Sequence, residues 1–282
     1  MRITVKDDLD LYKITNSGQC FRACEISPGL YRFITGRNIL YIKDISGEEY
    51  ELSCSKKEWD GIWKHYFDIE TDYSSIRAGI PAKDKFLKEC ADAGCGIRIL
   101  NQDKWEMLIS FIISQRKSIP AIRSCIEKLC ERFGEKLESL GDGSCGDIPE
   151  TGSLCAFPTP KALLTSSEKE LGECGLGYRT PFIKDAAERV CSGKLDLDAL
   201  DGFSDEELFV TLKTVKGVGD KVANCVMLFG YHRIGRAPVD TWIYKVIDQK
   251  YNGRNPFGDY GIYAGIMQQY MFYGAAALKL LK

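Results

Sequence analysis

The chain contains no long apolar run. None of its 282 residues lies in a stretch of the roughly 18 consecutive apolar residues that a membrane-spanning helix needs. Its first residues, MRITVKDDLDLYKI, are acidic and strand-like, and they resemble neither a secretory signal peptide nor an arginine-rich transit peptide. These absences argue against a membrane protein and predict an intracellular one.

The chain also has little of what a metal centre requires. It holds 12 cysteines, but none of them forms a Cys-x-x-Cys pair and no histidine pair accompanies them. Cys125, Cys130 and Cys191 fall on apolar faces of predicted helices, which is typical of small buried hydrophobic residues. We therefore expect free thiols and no bound metal.

A strong positive charge is missing as well. The formal net charge is −2, which argues against binding nucleic acid through overall charge. A local basic surface is still compatible with this value. Residues 211–250 carry seven Lys or Arg against three Asp, a local net charge of +4.

The order of patterns along the chain predicts an α+β fold. LYRFITG, NILYIKDI and EEYELS read as three strands of an antiparallel meander, and WDGIWKHYF follows as an aromatic helical segment. From about residue 81 the periodicity is helical. We predict an N-terminal antiparallel β-sheet domain over residues 1–98 and an all-α domain over residues 99–282. The Gly/Ser-rich segment GDGSCGDIPETGS is expected to form a mobile loop.

Several helix boundaries can be predicted from local signals. WEMLISFIIS is apolar around most of its circumference and should form a buried central helix. Ser118 and Gly134 bracket the next helix, and Thr180-Pro181 opens another. Ser204 with Glu207 forms a capping box for a helix that ends before a glycine pair.

That glycine pair lies in 216-KGVGDKVANC-225 and predicts a helix–hairpin–helix at about 205–230. Gly217, Val218 and Gly219 would present backbone N–H groups at a helix N-terminus, which suits a DNA phosphate, although a purely structural turn is about as consistent. Lys221 falls at the start of the second helix, where the helix dipole disfavours a cation. Its simplest interpretation is a solvated surface lysine.

Asp240, in 237-APVDTW-242, follows one helix and one loop later. Its simplest role is the N-cap of the next helix, with Pro238 fixing the approach. An antiparallel return of the chain would also bring Asp240 back toward Lys221. A lysine amine beside a carboxylate can attack a sugar carbon and offset the positive charge that develops there.

Taken together, these motifs resemble the helix-hairpin-helix-GPD DNA glycosylases, and most closely the 8-oxoguanine DNA glycosylase/AP lyases. LKTVKGVGDKVANC followed by APVDTW carries the hairpin and aspartate signature. NSGQCFR, ILNQDKWEMLISFIISQ, ECGLGYRTPFI and YAGIMQQYMF resemble other segments of that family in the same order. The resemblance implies a TATA-binding-protein-like sheet domain before the helical glycosylase domain.

The resemblance also implies roles for particular residues. Lys221 would be the Schiff-base nucleophile, Asp240 its partner, and Gly18 would offer its carbonyl to the N7–H of 8-oxoguanine. The remaining implied contacts to the flipped base are Cys225, Pro238, Gln268 and Phe272. The implied contacts to DNA are Gln115, Arg116, Tyr178, Arg179, Gly217 and Gly219.

The chain departs from the family pattern at three positions. SQRKSI replaces an Asn-rich turn, so either Gln115 or Arg116 would fill the hole left by the flipped base. Ala121 stands where a second cytosine-reading arginine is expected, and Arg123, two residues on, should point away from the DNA. Trp242 replaces a phosphate-contacting histidine.

We therefore expect a monomeric enzyme that acts on double-stranded DNA containing 8-oxoguanine, with relaxed selectivity for the opposite base. No iron–sulfur cluster is expected, because no cysteine follows Cys225, but the hairpin could hold a structural monovalent cation. A non-catalytic helix-hairpin-helix DNA-binding module and a related glycosylase for another damaged base remain the alternatives.

Overall fold

The computed structural model describes residues 1–137 and 154–281. The predicted mobile loop at GDGSCGDIPETGS lies outside the described residues. Within the described ranges, no helix is both long enough and apolar enough to cross a membrane.

The N-terminal part is a five-stranded antiparallel sheet with the strand order β1-β5-β4-β3-β2. Its strands are β1 (Arg2–Thr4), β2 (Cys24–Ser27), β3 (Leu30–Thr35), β4 (Asn38–Asp44) and β5 (Glu49–Leu52). The three predicted strands and the fold class are confirmed. The edge strand β2 was not predicted, because it is only four residues long; Pro28-Gly29 directly follows it.

Aromatic side chains fill the space beneath the sheet. Trp63 and Phe67 are fully buried, and the Phe67 ring lies 5.0 Å from that of Phe33 on β3 in an edge-to-face arrangement. They come from short helical turns after β5, at Lys56–Glu58 (α2), Trp59–Trp63 and Lys64–Tyr66 (α3). The predicted aromatic helical segment is therefore confirmed as the cover of the sheet.

The rest of the described chain is helical. Its helices before the hairpin are α4 (Tyr73–Ala78), α5 (Lys85–Ala93), α6 (Lys104–Ser114), α7 (Ile119–Phe133), α8 (Pro160–Thr165), α9 (Glu168–Glu173) and α10 (Thr180–Cys191). From the hairpin onward they are α11 (Asp205–Leu212), α12 (Asp220–Gly230), α13 (Thr241–Tyr251) and α14 (Ala264–Ala277), and α1 (Leu11–Asn16) precedes β2. Short 3₁₀ turns lie at Gly177–Arg179, Ala199–Gly202 and Phe257–Tyr263.

Helix α6 is the central helix, as predicted, and α7, α10 and α12 pack against it. The capping box of Ser204 and Glu207 at α11 is confirmed. Ser118 precedes α7 as its N-cap, although its side chain makes no capping hydrogen bond. The prediction for Cys191 was wrong: it is exposed, because it is the last residue of α10 and lies beyond the packed part of that helix.

The helical core extends upstream of residue 99. Tyr73 from α4 and Leu87 from α5 belong to the same hydrophobic cluster as α6, whereas Leu100 packs with the sheet residues. The sheet and the helices are thus interleaved around residues 98–102. The division of the chain at residue 98 stays a prediction.

Arg98 joins the two parts. Its side chain is fully buried, and its guanidinium donates to the backbone carbonyls of Asp8 (2.7 Å), Asp68 (2.5 Å) and Thr71 (3.1 Å). It also pairs with the carboxylate of Asp7 at 2.8 Å. The Asp7 carboxylate also accepts from the N–H groups of Tyr73 and Ser74, and the Asp68 carbonyl from that of Thr71, whereas the carbonyls of Asp8 and Thr71 would lose their donor if the guanidinium were removed.

Arg98→Met should lower the free energy of unfolding by about 3–5 kcal/mol, because it removes a fully buried guanidinium from its ion pair with Asp7 and leaves the carbonyls of Asp8 and Thr71 without a donor. The matched control is Arg254→Met, which removes an exposed pair with Asp259 and should cost about 0–1 kcal/mol. Urea unfolding of both variants measures the difference. Equal losses would show that Arg98 is no more important than a surface ion pair.

Candidate active site

A single large cleft of about 1590 Å³ collects most of the residues singled out above. It lies where the loop after α1, the end of α6, and the helices α12, α13 and α14 meet. The predicted residues that line it are Gly18, Gln115, Arg116, Lys221, Cys225, Pro238, Asp240, Gln268 and Phe272. Tyr178, Arg179, Gly217 and Gly219 are not among its lining residues.

The hairpin before α12 is held by a close contact with Phe182. Gly217 has φ +80°, and a Cβ added there would lie 2.3 Å from the Phe182 ring. Only glycine combines that backbone conformation with that approach. Gly219 is the exposed N-cap of α12 in an extended conformation.

The hairpin offers fewer free N–H groups than the sequence suggests. The N–H of Val218 donates to the Val215 carbonyl at 3.0 Å within the turn. Within the described residues, no acceptor takes the N–H of Gly217 or Gly219. The expected run of three donors is therefore reduced to these two, together with the first N–H groups of α12.

Lys221 is the second residue of α12, as predicted, and it is half-buried in the cleft. Its Nζ donates to the Ser114 hydroxyl at 3.3 Å and lies 5.0 Å from the centre of the Phe111 ring. The Ser114 hydroxyl itself donates to the Phe111 carbonyl at 2.8 Å, so its lone pairs face the amine. These contacts come from α6, and no local sequence signal indicates Ser114.

Asp240 is the N-cap of α13, so the simpler of its two predicted roles is confirmed. One carboxylate oxygen, Oδ1, accepts from the N–H groups of Trp242 (3.0 Å) and Ile243 (2.8 Å). Across the described ranges, nothing donates to the second oxygen, Oδ2. One side of the carboxylate therefore holds the helix, and the other side remains available to the cleft.

Cys225 lies between these two charged groups. Its thiol is buried, and burial raises its pKa above the ordinary value. The ammonium of Lys221 lowers that pKa and the carboxylate of Asp240 raises it. Both charges thus act at one buried point on α12, one turn below Lys221.

Gly18, Gln268 and Phe272 line one end of the cleft, which is called the slot below. Gly18 has φ +74°, and a Cβ there would lie 3.2 Å from the Phe272 ring and 3.4 Å from Ile119. Gln268, one turn before Phe272, is buried, and its amide oxygen accepts from the Gln269 side chain at 3.3 Å. The slot therefore has an aromatic face, a backbone edge and an amide.

Trp242 fixes the position of this aromatic face. Its indole Nε1 donates to the Phe272 carbonyl at 3.2 Å, which connects the start of α13 to α14. The tryptophan at this position therefore makes a contact within the protein rather than leaving a polar group free in the cleft.

Gln115 and Arg116, the two residues predicted as alternatives for filling the hole left by the flipped base, lie in the turn after α6 and differ in their contacts. The Gln115 amide donates to the carbonyls of Ile112 and Gly217, both at 3.1 Å, so it is committed to the protein. Arg116 is exposed and has φ +53°. Its guanidinium has no hydrogen-bond partner within residues 1–137 and 154–281.

Arg179 is buried, in contrast to the exposed side chain that a DNA contact suggests. Its guanidinium donates to the carbonyls of Gln115 and Leu176 and stacks 4.3 Å from the centre of the Tyr178 ring. Tyr178 is 52% exposed. This pair is thus anchored to the same turn as Arg116.

Helix α7 contributes no arginine to the cleft. Ala121 is exposed, and Arg123 donates to the Thr15 carbonyl on α1. The guanidinium of Arg123 is therefore engaged between the two parts of the chain. In the described part of the chain, no group of three or more His, Cys, Asp or Glu side chains is arranged to hold a metal ion.

Comparison with known proteins agrees with this geometry. A family model described as 8-oxoguanine DNA glycosylase, N-terminal domain, matches residues 2–108. A second, described as HhH-GPD superfamily base excision DNA repair protein, matches residues 109–258.

Individual relatives cover nearly the whole chain. A probable N-glycosylase/DNA lyase from Methanothermobacter thermautotrophicus is 28% identical over 100% of this chain and 97% of its own. The structure of MBOgg1 in complex with a low affinity DNA ligand is 32% identical, has a TM-score of 0.90, and covers 99% of this chain and 96% of its own. The Clostridium acetobutylicum 8-oxoguanine glycosylase/lyase, bound to DNA with cytosine opposite 8-oxoG, is 33% identical, with a TM-score of 0.88 over 99% of this chain and 98% of its own.

Proposed function

The chain belongs to the HhH-GPD superfamily of base excision DNA repair proteins, and on that premise we propose that it is a bifunctional 8-oxoguanine DNA glycosylase and AP lyase. The observation that carries the proposal is the lysine amine of Lys221 inside a cleft of about 1590 Å³, with the carboxylate of Asp240, Gln268 and Phe272 lining the same cleft. A passive DNA-binding module has no use for such a cleft.

The first step of the proposed reaction is base flipping. A base inside a duplex cannot be reached by an amine, so the damaged nucleotide rotates out of the stack into the slot. Phe272 stacks on the base, Cys225 contacts its other face, and Pro238 lines the same wall. Gln268 bonds its Watson–Crick edge, and the Gly18 carbonyl accepts the N7–H that 8-oxoguanine has and guanine lacks.

The chemical steps follow from the position of the amine. The Nζ of Lys221 attacks the sugar carbon C1′, and the bond between C1′ and the base breaks with its electron pair leaving on the base, which takes up a proton that the amine loses. The negative carboxylate of Asp240 offsets the positive charge that develops on the sugar. Opening of the sugar ring gives an imine, loss of a proton from C2′ follows, and the 3′ phosphate leaves. No cofactor is needed for this sequence.

The DNA backbone binds at the hairpin in this proposal. The N–H groups of Gly217 and Gly219 and the positive end of the α12 dipole favour one phosphate. Arg116 enters the space vacated by the flipped base, because Gln115 is already bonded within the protein. Tyr178 wedges the duplex, and Arg179 reads the base left behind after it leaves the Gln115 carbonyl.

The cellular location and the oligomeric state are also part of the proposed function. We propose that the protein acts as a monomer on duplex DNA inside the cell. The slot's aromatic face and its amide fit a flat purine that carries hydrogen-bonding edges.

Lys221→Gln should abolish base release and borohydride trapping on 8-oxoguanine duplexes while leaving duplex affinity within about threefold of wild type, since only the amine forms the imine and the hairpin N–H groups remain. Lys216→Gln, an exposed lysine of the same hairpin, is the matched control and should still trap. Trapping by the Lys221 variant would assign the chemistry to another amine.

Asp240→Asn should slow base excision by about 10²–10³-fold, because a neutral amide cannot offset the positive charge on the sugar. Asparagine caps helices as well as aspartate does, so the unfolding free energy should change little. Asp240→Ala should lose both the charge and about 1 kcal/mol of stability. Single-turnover rates and urea unfolding separate these two roles, and a fast Asn variant would leave Asp240 with the cap alone.

Opposite-base selectivity should be relaxed, because Ala121 offers no donor and Arg123 is engaged by Thr15. Each good charged contact to a base contributes roughly 1–3 kcal/mol of discrimination. Cytosine preference should therefore be about one to two orders of magnitude weaker than in a site with two arginines. Single-turnover rates with 8-oxoguanine opposite each of the four bases measure it.

Ala121→Arg should restore part of the cytosine preference in the same assay. Gly172→Arg, which adds the same charge in open space on α9, should not. Strict cytosine dependence in the unmodified protein would show that another contact replaces the missing arginine.

A further inference from the structure

Gln19, next to Gly18, is held more completely than any residue of the slot. Its side chain is fully buried. The amide oxygen accepts from the Leu100 N–H at 2.9 Å, and the amide nitrogen donates to the Arg98 carbonyl at 2.8 Å and to the Ser17 hydroxyl at 2.9 Å. The side chain thus pairs with the extended segment around Ile99 as a neighbouring strand would.

A second glutamine extends this connection to the helix of the nucleophile. The Gln102 side chain donates to the Gln19 carbonyl at 2.9 Å, and the Gln102 N–H donates to the Phe229 carbonyl at 3.2 Å. Phe229 lies near the end of α12, the helix that begins beside Lys221. Hydrogen bonds therefore run from α12 through Gln102 to the Gln19 carbonyl on one side of Gly18, and the Gln19 side chain bonds the Ser17 hydroxyl on the other side.

We propose that Gln19 is a positioning residue for lesion selection, which with Gln102 fixes the Gly18 carbonyl relative to Lys221. This inference rests on the proposed function and deepens it. The Gly18 backbone has no side chain to hold it, and its φ of +74° lies in a region where glycine moves freely. Neighbouring amides must therefore set the place of its carbonyl.

Displacement of the Gly18 carbonyl should affect base excision only. A hydrogen bond that reads one proton on the base requires the acceptor within a few tenths of an ångström of its place. A displacement of about 1 Å in a reactive complex can cost on the order of 100-fold in rate. Cleavage at a pre-formed abasic site needs the amine of Lys221 but no base in the slot, so it should not depend on Gln19.

The test compares two activities in the same preparations. Gln19→Leu and Gln102→Leu are assayed for single-turnover excision of 8-oxoguanine and for strand cleavage at a pre-formed abasic site. Asn101→Ala is the matched control, because its amide bonds the His65 carbonyl in the same segment without touching Gly18. Taking the ratio of the two rates cancels any loss of folded protein, and thermal unfolding records that loss separately.

The ratio of excision to abasic-site cleavage should fall about tenfold or more in both leucine variants and stay within about twofold of wild type in Asn101→Ala. An unchanged ratio in Gln102→Leu, or equal losses of both activities in both variants, would overturn the inference and leave Gln19 as a structural residue. Absence of 8-oxoguanine excision by the wild-type protein would instead contradict the proposed function.

Discussion

Buried polar groups in this protein must find partners, and the segment from Arg98 to Gln102 satisfies that requirement for both parts of the fold. The guanidinium of Arg98 donates hydrogen bonds to carbonyls of the N-terminal segment and of the turn before α4. The backbone of the same segment hydrogen-bonds the side-chain amide of Gln19. The Gln102 N–H donates to the Phe229 carbonyl on α12. Because these groups are buried, none of the bonds can be exchanged for water without cost. The same segment therefore holds both Gln19, next to Gly18 of the slot, and α12, the helix that carries Lys221.

A second network surrounds Gln115. Its side-chain amide donates to the Gly217 carbonyl, and its backbone carbonyl accepts from the Arg179 guanidinium. The hairpin at Gly217, the Tyr178–Arg179 pair and the turn carrying Arg116 are consequently joined through one residue. In the proposed complex, a duplex that drew Arg179 outward would leave the Gln115 carbonyl without its donor, which would couple DNA binding energetically to the hairpin.

Local signals in the sequence predicted the local structure well. The capping box at Ser204, the start of α12 near Lys221 and the cap at Asp240 depend on residues within four positions of one another, and each is confirmed. The wrong prediction for Cys191 arose because helical periodicity does not show where packing against a helix ends.

Long-range contacts within the site could not be predicted in this way. Ser114 and Lys221 are 107 residues apart, Gln19 and Leu100 are 81 apart, and Gln115 and Arg179 are 64 apart. Such pairs depend on how the helices pack, and nothing in either neighbourhood marks them. The burial of Arg179 belongs to the same class, since an exposed and a buried arginine look alike in sequence. The resemblance to a family named the candidate site residues, but it did not indicate what holds them in place.

The capping role of Asp240, beside the catalytic role proposed for it, has a consequence for how such a site can change over evolutionary time. One oxygen of its carboxylate holds two N–H groups at the start of α13, whatever the other oxygen does. Selection for a folded protein alone would then favour a capping residue at this position, even in a descendant that had lost its lysine and its chemistry. An aspartate at this position is accordingly weak evidence of activity in a distant relative. A lysine at the start of α12, which capping does not favour, is far stronger.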